Sequence, residues 1–261
     1  MSHLASDTNM VSPGWSNASI SDDSNCAMTM PGADALRANI SLSDIVYAAG
    51  RATTGANKSR RTPVCPCPTW KRMMDIFGSI VGLTLLWPLF AIVGVYIKCV
   101  SRGPVFFRQR RYGTSEQPFD LWKFRTMEVT QTPMRHLTYV ADLMHNDQPL
   151  KKIDDELAII PGARILRKLG IDELPQLINV LNGEMSLVGP RPDVMPPSAF
   201  HHWRRHRFDV SPGITGLWQV SGKNRTTFSE MMQLDMAYIR RRSLWLDVTI
   251  LLRTFLAVVR N

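Results

Sequence analysis

The stretch Ile76-Phe-Gly-Ser-Ile-Val-Gly-Leu-Thr-Leu-Leu-Trp-Pro-Leu-Phe-Ala-Ile-Val-Gly-Val-Tyr-Ile97 decides how this chain is built, because it carries no acidic or basic side chain. As a helix rising 1.5 Å per residue it extends about 33 Å, enough to cross a hydrocarbon core of about 30 Å. Two details argue against a simple crossing. Pro88 falls near the middle, where its missing N–H and its ring bend or break a helix. Cations stand at both ends, Lys71 and Arg72 before the run and Lys98 and Arg102 after it, so loop charge assigns no preferred side to either end. A re-entrant helix-break-helix that dips into the bilayer and returns to the same face satisfies both details. A buried core helix is the competing reading, and the length and lack of charge weigh against it.

Upstream, residues 1–69 are rich in Ser, Asn, Thr, Ala and Asp without sustained periodicity, which predicts a disordered extension; residues 34–49 could form a short amphipathic helix. No apolar signal region occurs in the opening residues. The cysteines, Cys26, Cys65, Cys67 and Cys99, show no disulfide framework, so a reducing, cytoplasmic setting is expected, and Cys65-Pro-Cys-Pro reads as linker rather than half a metal site. The domain plan is therefore an extension (1–69), a re-entrant membrane helix (70–102) and a cytoplasmic catalytic domain with interfacial helices (103–261). A net charge of +9 and a pI near 9.7 fit an anionic partner: nucleic acid, a lipid surface or nucleotide phosphates.

Beyond the apolar run, Gly103-Pro-Val-Phe-Phe-Arg-Gln-Arg-Arg-Tyr-Gly113 and Gln117-Pro-Phe-Asp-Leu-Trp-Lys-Phe-Arg-Thr-Met127 read as a β-hairpin around a Gly/Ser/Glu turn. Its second strand places Lys123 and Arg125 on a face with apolar residues. Helices are predicted over 134–146 and 174–181. In the latter Leu174, Leu177, Ile178 and Leu181 form one stripe, Asp172 is the N-cap candidate and Gly183 the terminator. Two C-terminal segments read as interfacial. His201-His-Trp-Arg-Arg-His-Arg-Phe208 mixes aromatics with cations, and Leu244–Val259 is mostly apolar. His202 and His206 lack a third metal ligand and read as surface or interfacial groups.

Chemistry concentrates in Leu166-Arg-Lys-Leu-Gly-Ile-Asp-Glu-Leu-Pro-Gln-Leu177. It sets the carboxylate pair Asp172 and Glu173 among Arg164, Arg167, Lys168 and the Arg191 of a Gly-Pro-Arg-Pro turn. Cations at a helix mouth keep a carboxylate ionised and attract phosphate oxygens. Attack on the phosphorus of a nucleotide sugar needs such cations, here Lys123, Arg125, Arg167 and Arg191, and a divalent ion on hard oxygen ligands, here Asp172 and Glu173. By pattern alone, Asp172 reads equally as a plain helix cap and Glu173 as a solvated acid. A nucleic-acid binder would cluster groove-reading cations on one helix, whereas these surround two acids.

Over about 190 positions, 71–260, the chain resembles the bacterial sugar transferases, monotopic polyprenyl-phosphate phosphoglycosyl transferases. The resemblance is carried in order by Lys71-Arg-Met-Met-Asp75, Gly103-Pro-Val-Phe-Phe107, Lys123-Phe-Arg-Thr-Met127, Leu166-Arg-Lys168, Asp172-Glu-Leu-Pro-Gln176, Met185-Ser-Leu-Val-Gly-Pro-Arg-Pro192, Pro212-Gly-Ile-Thr-Gly-Leu-Trp-Gln219, and Asp235 with Ser243-Leu-Trp-Leu-Asp247. It implies a helix-rich α+β monotopic membrane protein at the cytoplasmic face of the bacterial inner membrane, starting exopolysaccharide synthesis. The implied substrates are a UDP-sugar, with galactose or glucose favoured, and undecaprenyl phosphate; the implied cofactor is Mg2+, the implied surroundings membrane lipid and downstream glycosyltransferases, and no nucleic acid is expected. Asp172 and Glu173 fall on the catalytic and metal-associated dyad, Lys123, Arg167 and Arg191 on phosphate-contacting positions, and Asp235 on a further functional acid. The family's Ser-Pro pair at the helix break stands here as Trp87-Pro88, with Thr84 the nearest upstream hydroxyl. A catalytically inactive scaffold of the same pathway is the alternative.

Overall fold

The computed structural model describes residues 65–128, 159–222 and 226–259. The extension up to residue 64 and the helices predicted over 34–49 and 134–146 lie outside them. Residues 65–68, assigned to the extension by composition, are docked on the domain: the Cys65 amide donates to Asp209 O (3.0 Å) and Arg242 reaches Pro66 O (3.1 Å).

The apolar run forms the middle of α1 (Thr69–Val100), one helix with Pro88 inside it rather than two segments separated by a break. A proline at that point removes one hydrogen bond but leaves the neighbouring turns free to continue. One face of α1 lies along the domain from end to end. Lys71, Asp75 and Ser79, each four residues from the next, are buried against it, and so are Val93 and Ile97 further on. Gly78 permits the approach, since a Cβ there would stand 2.6 Å from Leu187 Cδ1. The opposite face carries Phe77, Leu85, Trp87 and Ile92, all at least 65% exposed. Among the described residues α1 is the one helix long and apolar enough to cross a membrane.

The two cations that the sequence placed before the apolar run have interior partners. Lys71 Nζ donates to Asp247 Oδ2 (2.6 Å), Val188 O (2.9 Å) and the Tyr238 hydroxyl (3.1 Å), while Arg72 caps a helix end through Val180 O and Leu181 O, both at 2.7 Å. Their carbonyl and carboxylate partners come from residues more than a hundred positions away, so no local pattern announces them.

β1 (Phe106–Tyr112) and β2 (Pro118–Phe124) form the expected antiparallel hairpin, with Phe107 opposite Lys123 and Arg111 opposite Phe119. Alternation buries Phe119 and Leu121 on one face, while Phe124, on the other, is buried against Val93 and Ile97 of α1. The turn holds Ser115 and Glu116 at positive φ, and Arg205 grips the Glu116 carboxylate with Nε (2.8 Å) and Nη2 (2.7 Å). Then come α2 (Ala163–Leu169), a 3₁₀ turn (Ile171–Glu173) and α3 (Gln176–Asn182). Short β3 (Ser186–Val188) pairs in parallel with β4 (Gly213–Thr215). The chain ends in α4 (Leu217–Gly222), α5 (Phe228–Arg241) and α6 (Leu244–Val259). A capping box starts α5: Thr227 Oγ1 accepts from the Glu230 amide and Glu230 Oε2 from the Thr227 amide. Its stripe of Phe228, Met231, Met232, Met236 and Ile239 fills the core with Met195, Phe208, Trp218 and Val188. The described fold is thus mixed α and β, as expected.

The segment His201–Phe208 is not an interfacial surface. As the 3₁₀ helix His202–Asp209 it runs through the domain, with Arg204 set between the Trp203 and Phe228 rings (5.2 and 5.3 Å) and Arg207 and Phe208 buried. Each of these cations has an internal partner, which is what permits its burial. By contrast α6 keeps Asp247 and Ile250 inward and exposes Trp245, Leu252, Phe255 and Val259.

Candidate active site

The backbone builds the acid pair from a reversal. Gly170, at φ 72°, ends α2, and the 3₁₀ turn that follows carries Asp172 and Glu173. Asp172 is not the helix cap the sequence suggested: Pro175 occupies that position, and α3 starts only at Gln176. Two residues of tight turn separate the pair from the helix, so the electrostatics of the site come from side chains rather than from a helix end. Gly183, at φ 82°, does terminate α3 as expected.

Glu173 is the hub. Lys123 Nζ, from β2, lies 3.2 Å from its Oε1, and Arg191 Nη2, from the turn after β3, lies 2.8 Å from the same oxygen. Burial would raise the Glu173 pKa, but the two cations overcome it and hold the carboxylate well below the usual range. Conversely, Glu173 raises Arg191, while burial outweighs Glu173 at Lys123 and lowers its ammonium. Asp172, 9% exposed, belongs to the same field and favours the charged form of both cations. The structure therefore gathers Asp172, Glu173, Lys123 and Arg191. Arg167 stands in the last turn of α2, on the element that leads into the pair.

Two of the expected substrate contacts lie elsewhere. Arg125 is buried and ties down the end of α1, donating to Ser101 Oγ (3.1 Å), Ser101 O (3.0 Å) and Arg102 O (2.8 Å). Asp235 lies beneath the site in α5 and receives Arg207 Nη2 at 2.9 Å. Burial pushes its carboxyl up to about 7 against the pull of Arg207.

Sequence reasoning missed Arg111, Asp193 and Arg207, which border the Arg191 turn. Strand alternation puts Arg111 on one face with Gln109, away from Arg108 and Arg110, and that was a usable signal. Nothing local separates Arg207 from Arg204 and Arg205.

Among the described residues no three His, Cys, Asp or Glu side chains are grouped to hold a metal by themselves. The donor set still fits Mg2+, which is often bound through one or two carboxylates, with water and substrate phosphate completing the shell. Both cations on Glu173 engage Oε1, so its Oε2 and the Asp172 carboxylate are the oxygens that would hold the ion.

An acid pair ringed by cations, on an α+β domain that carries one long apolar helix, has the charge arrangement that chemistry on phosphate groups requires. The chain belongs to the bacterial sugar transferase family, which residues 67–261 match. It is 36% identical over 198 residues to the exopolysaccharide production protein ExoY of Rhizobium meliloti, covering 72% of this chain and 84% of that one. It is 38% identical over 196 residues to the galactosyl transferase CpsE of Streptococcus agalactiae, covering 72% of this chain and 42% of the relative. With the UDP-glucose:undecaprenyl-phosphate glucose-1-phosphate transferase of Xanthomonas campestris it shares 38% over 200 residues, covering 72% and 38%. The chain thus spans less than half the length of the latter two.

Proposed function

We propose that this protein transfers a sugar 1-phosphate from a UDP-sugar to undecaprenyl phosphate, releasing UMP, as the first membrane step of exopolysaccharide synthesis. The observation that carries the reading is the convergence of Lys123 and Arg191 on Glu173 beside Asp172, in a chain whose family is shown. The names of the glucose and galactose relatives favour one of those two sugars.

In this reading Asp172 attacks the sugar-bearing phosphorus, the bond to the UMP oxygen breaks with its electron pair, and an aspartyl phosphate ester of the sugar remains. The phosphate oxygen of undecaprenyl phosphate then attacks the same phosphorus and frees the Asp172 carboxylate. Lys123 and Arg191 neutralise the phosphoryl oxygens in both steps, and their grip on Glu173 fixes them before substrate arrives. Arg167, in the last turn of α2, would join them. A bound Mg2+, held by Asp172 and Glu173, would take up charge on the departing nucleotide. Asp172→Asn should abolish UMP release while leaving membrane association intact, because the amide keeps the shape but is no nucleophile; turnover near that of the unaltered protein refutes the assignment.

The same reading places the domain at the cytoplasmic face of the inner membrane, with both ends of α1 on that side although Pro88 does not break the helix, and the exposed face of α6 in the interface. What supports it is that both ends of α1 rest on one domain. Lys71 pairs with Asp247 near one end, and Ile97 packs with Phe124 and Leu166 near the other. A helix standing across the bilayer would separate those ends by its full thickness. The extension (1–69) has no assigned role in this reaction, and downstream glycosyltransferases are the expected consumers of the product.

A further inference from the structure

The turn that presents Arg191 is held by its carbonyls, one after another. Pro190 O accepts from the Gly213 amide (2.8 Å), Arg191 O from Arg207 Nη2 (2.8 Å), Pro192 O from Arg111 Nη1 (3.0 Å) and Asp193 O from the Tyr112 amide (2.9 Å). Two of the four donors are backbone amides of paired segments. The other two are guanidinium groups that are 3% and 7% exposed, an expensive way to satisfy a carbonyl unless its position matters.

The rest of the turn is equally constrained. Pro190 and Pro192 fix φ on either side of Arg191 and leave no spare N–H. Gly189 and Gly213 lie flush, so that a Cβ on Gly213 would meet Gly189 N at 2.0 Å. Arg207 is itself anchored by the carboxylates of Asp193 and Asp235, which occupy its charge and keep it from competing with Arg191 for Glu173. Arg111 is braced by Gln109 Oε1 at 2.8 Å.

We infer that Arg207 and Arg111 are positioning residues: they hold Arg191 toward Glu173 and the substrate phosphates by gripping its turn through the Arg191 and Pro192 carbonyls. Asp235 then acts through Arg207 and does not itself touch substrate. The kinetic consequence rests on the transferase reading; the mechanical one does not.

Arg207→Lys keeps a charge for Asp235 but loses the planar fork that also reaches Arg191 O, and Arg111→Met removes the brace on Pro192 O from the other side. Each is measured alone and combined with Arg191→Ala. If the two residues act through Arg191, each single change lowers kcat/KM for UMP release from the UDP-sugar by about 10- to 100-fold, the range a misplaced contact group produces. In the Arg191→Ala background the same change then costs less than about twofold, because the group being positioned has already gone. Hydrogen exchange across residues 189–195 of the substrate-free protein is the second readout, and it should quicken in both variants. Equal costs in the two backgrounds, or unchanged exchange in that segment, overturn the inference. If the unaltered protein releases no UMP from any UDP-sugar, the transferase reading fails and exchange alone decides this one. Should Arg207→Lys fail to fold, Arg111→Met carries both measurements.

Discussion

Lys71→Met tests whether α1 is fastened to the rest of the domain by a buried ion pair. Lys71 and Asp247 are 1% and 0% exposed and lie 2.6 Å apart. Removing the ammonium leaves Asp247 with the Tyr238 hydroxyl (2.8 Å) as its remaining side-chain partner and strips Val188 O of one of two donors. Breaking a buried pair from one side costs about 3–5 kcal/mol, because a charge remains without its counter-ion. For a domain of this size that is a fall in Tm of about 6–20 °C. Burial already raises the Asp247 pKa with Lys71 in place, and losing the cation raises it further. The carboxyl can then escape by taking a proton, so the loss should be smaller at pH 6 than at pH 8. Replacing both partners, Lys71→Met with Asp247→Leu, should recover most of the stability, since Tyr238 can still donate to Val188 O at 3.1 Å. Thermal unfolding in one detergent, followed by tryptophan fluorescence, measures all of these. A single variant within about 1 kcal/mol of the unaltered protein, or a double variant no more stable than the single, refutes the reasoning.

Three further outcomes are expected. Arg125→Met should cost roughly 2–4 kcal/mol by orphaning the carbonyls of Ser101 and Arg102, yet leave KM for the UDP-sugar unchanged in the folded fraction; a raised KM would return Arg125 to the substrate. The Asp235 carboxyl, held up to about 7 by burial, binds its proton over a range where the unfolded chain has lost it, so its contribution to stability declines as pH rises from about 4 to 7. Asp235→Asn lacks that decline, and its Tm relative to the unaltered protein should climb over the same window; a difference independent of pH refutes the titration. Single cysteines introduced by Ser59→Cys and by Ser115→Cys, with the native cysteines replaced, should both resist an impermeant reagent in intact cells and both react once the membrane is opened. Labelling from Ser59→Cys alone would establish a spanning helix.

Local chemistry made much of the fold legible. Period-2 alternation disclosed the hairpin, and Gly183 marked the end of α3 because only a left-handed residue lets the chain turn there without strain. The apolar run disclosed α1, but its composition carried no sign that Lys71, Asp75 and Ser79 would line up inward, since the partners of Lys71 and Asp75 arrive from β3, α5 and α6. The Asp75 carboxylate accepts from Ser186 Oγ and the Leu187 amide, both at 2.9 Å, and so stitches the first turns of α1 to β3. A charge whose partner is a hundred residues distant looks, in sequence, like a charge facing water.

The same limit explains how the site was read. Lys123, Arg191 and the acid pair could be grouped from chemistry alone, because opposite charges around a reacting phosphate are required wherever they come from. What sequence cannot weigh is whether an arginine meets a phosphate or a carbonyl, since the guanidinium fork suits both. The fold divides the work. Arg191 points its fork at Glu173, while Arg125, Arg111 and Arg207 turn theirs to main-chain oxygens and hold the C-terminal end of α1 and the 190–193 turn. The basic composition first read as attraction to anions is thus partly internal scaffolding, and under the proposed function the cations left for substrate are those that surround Glu173.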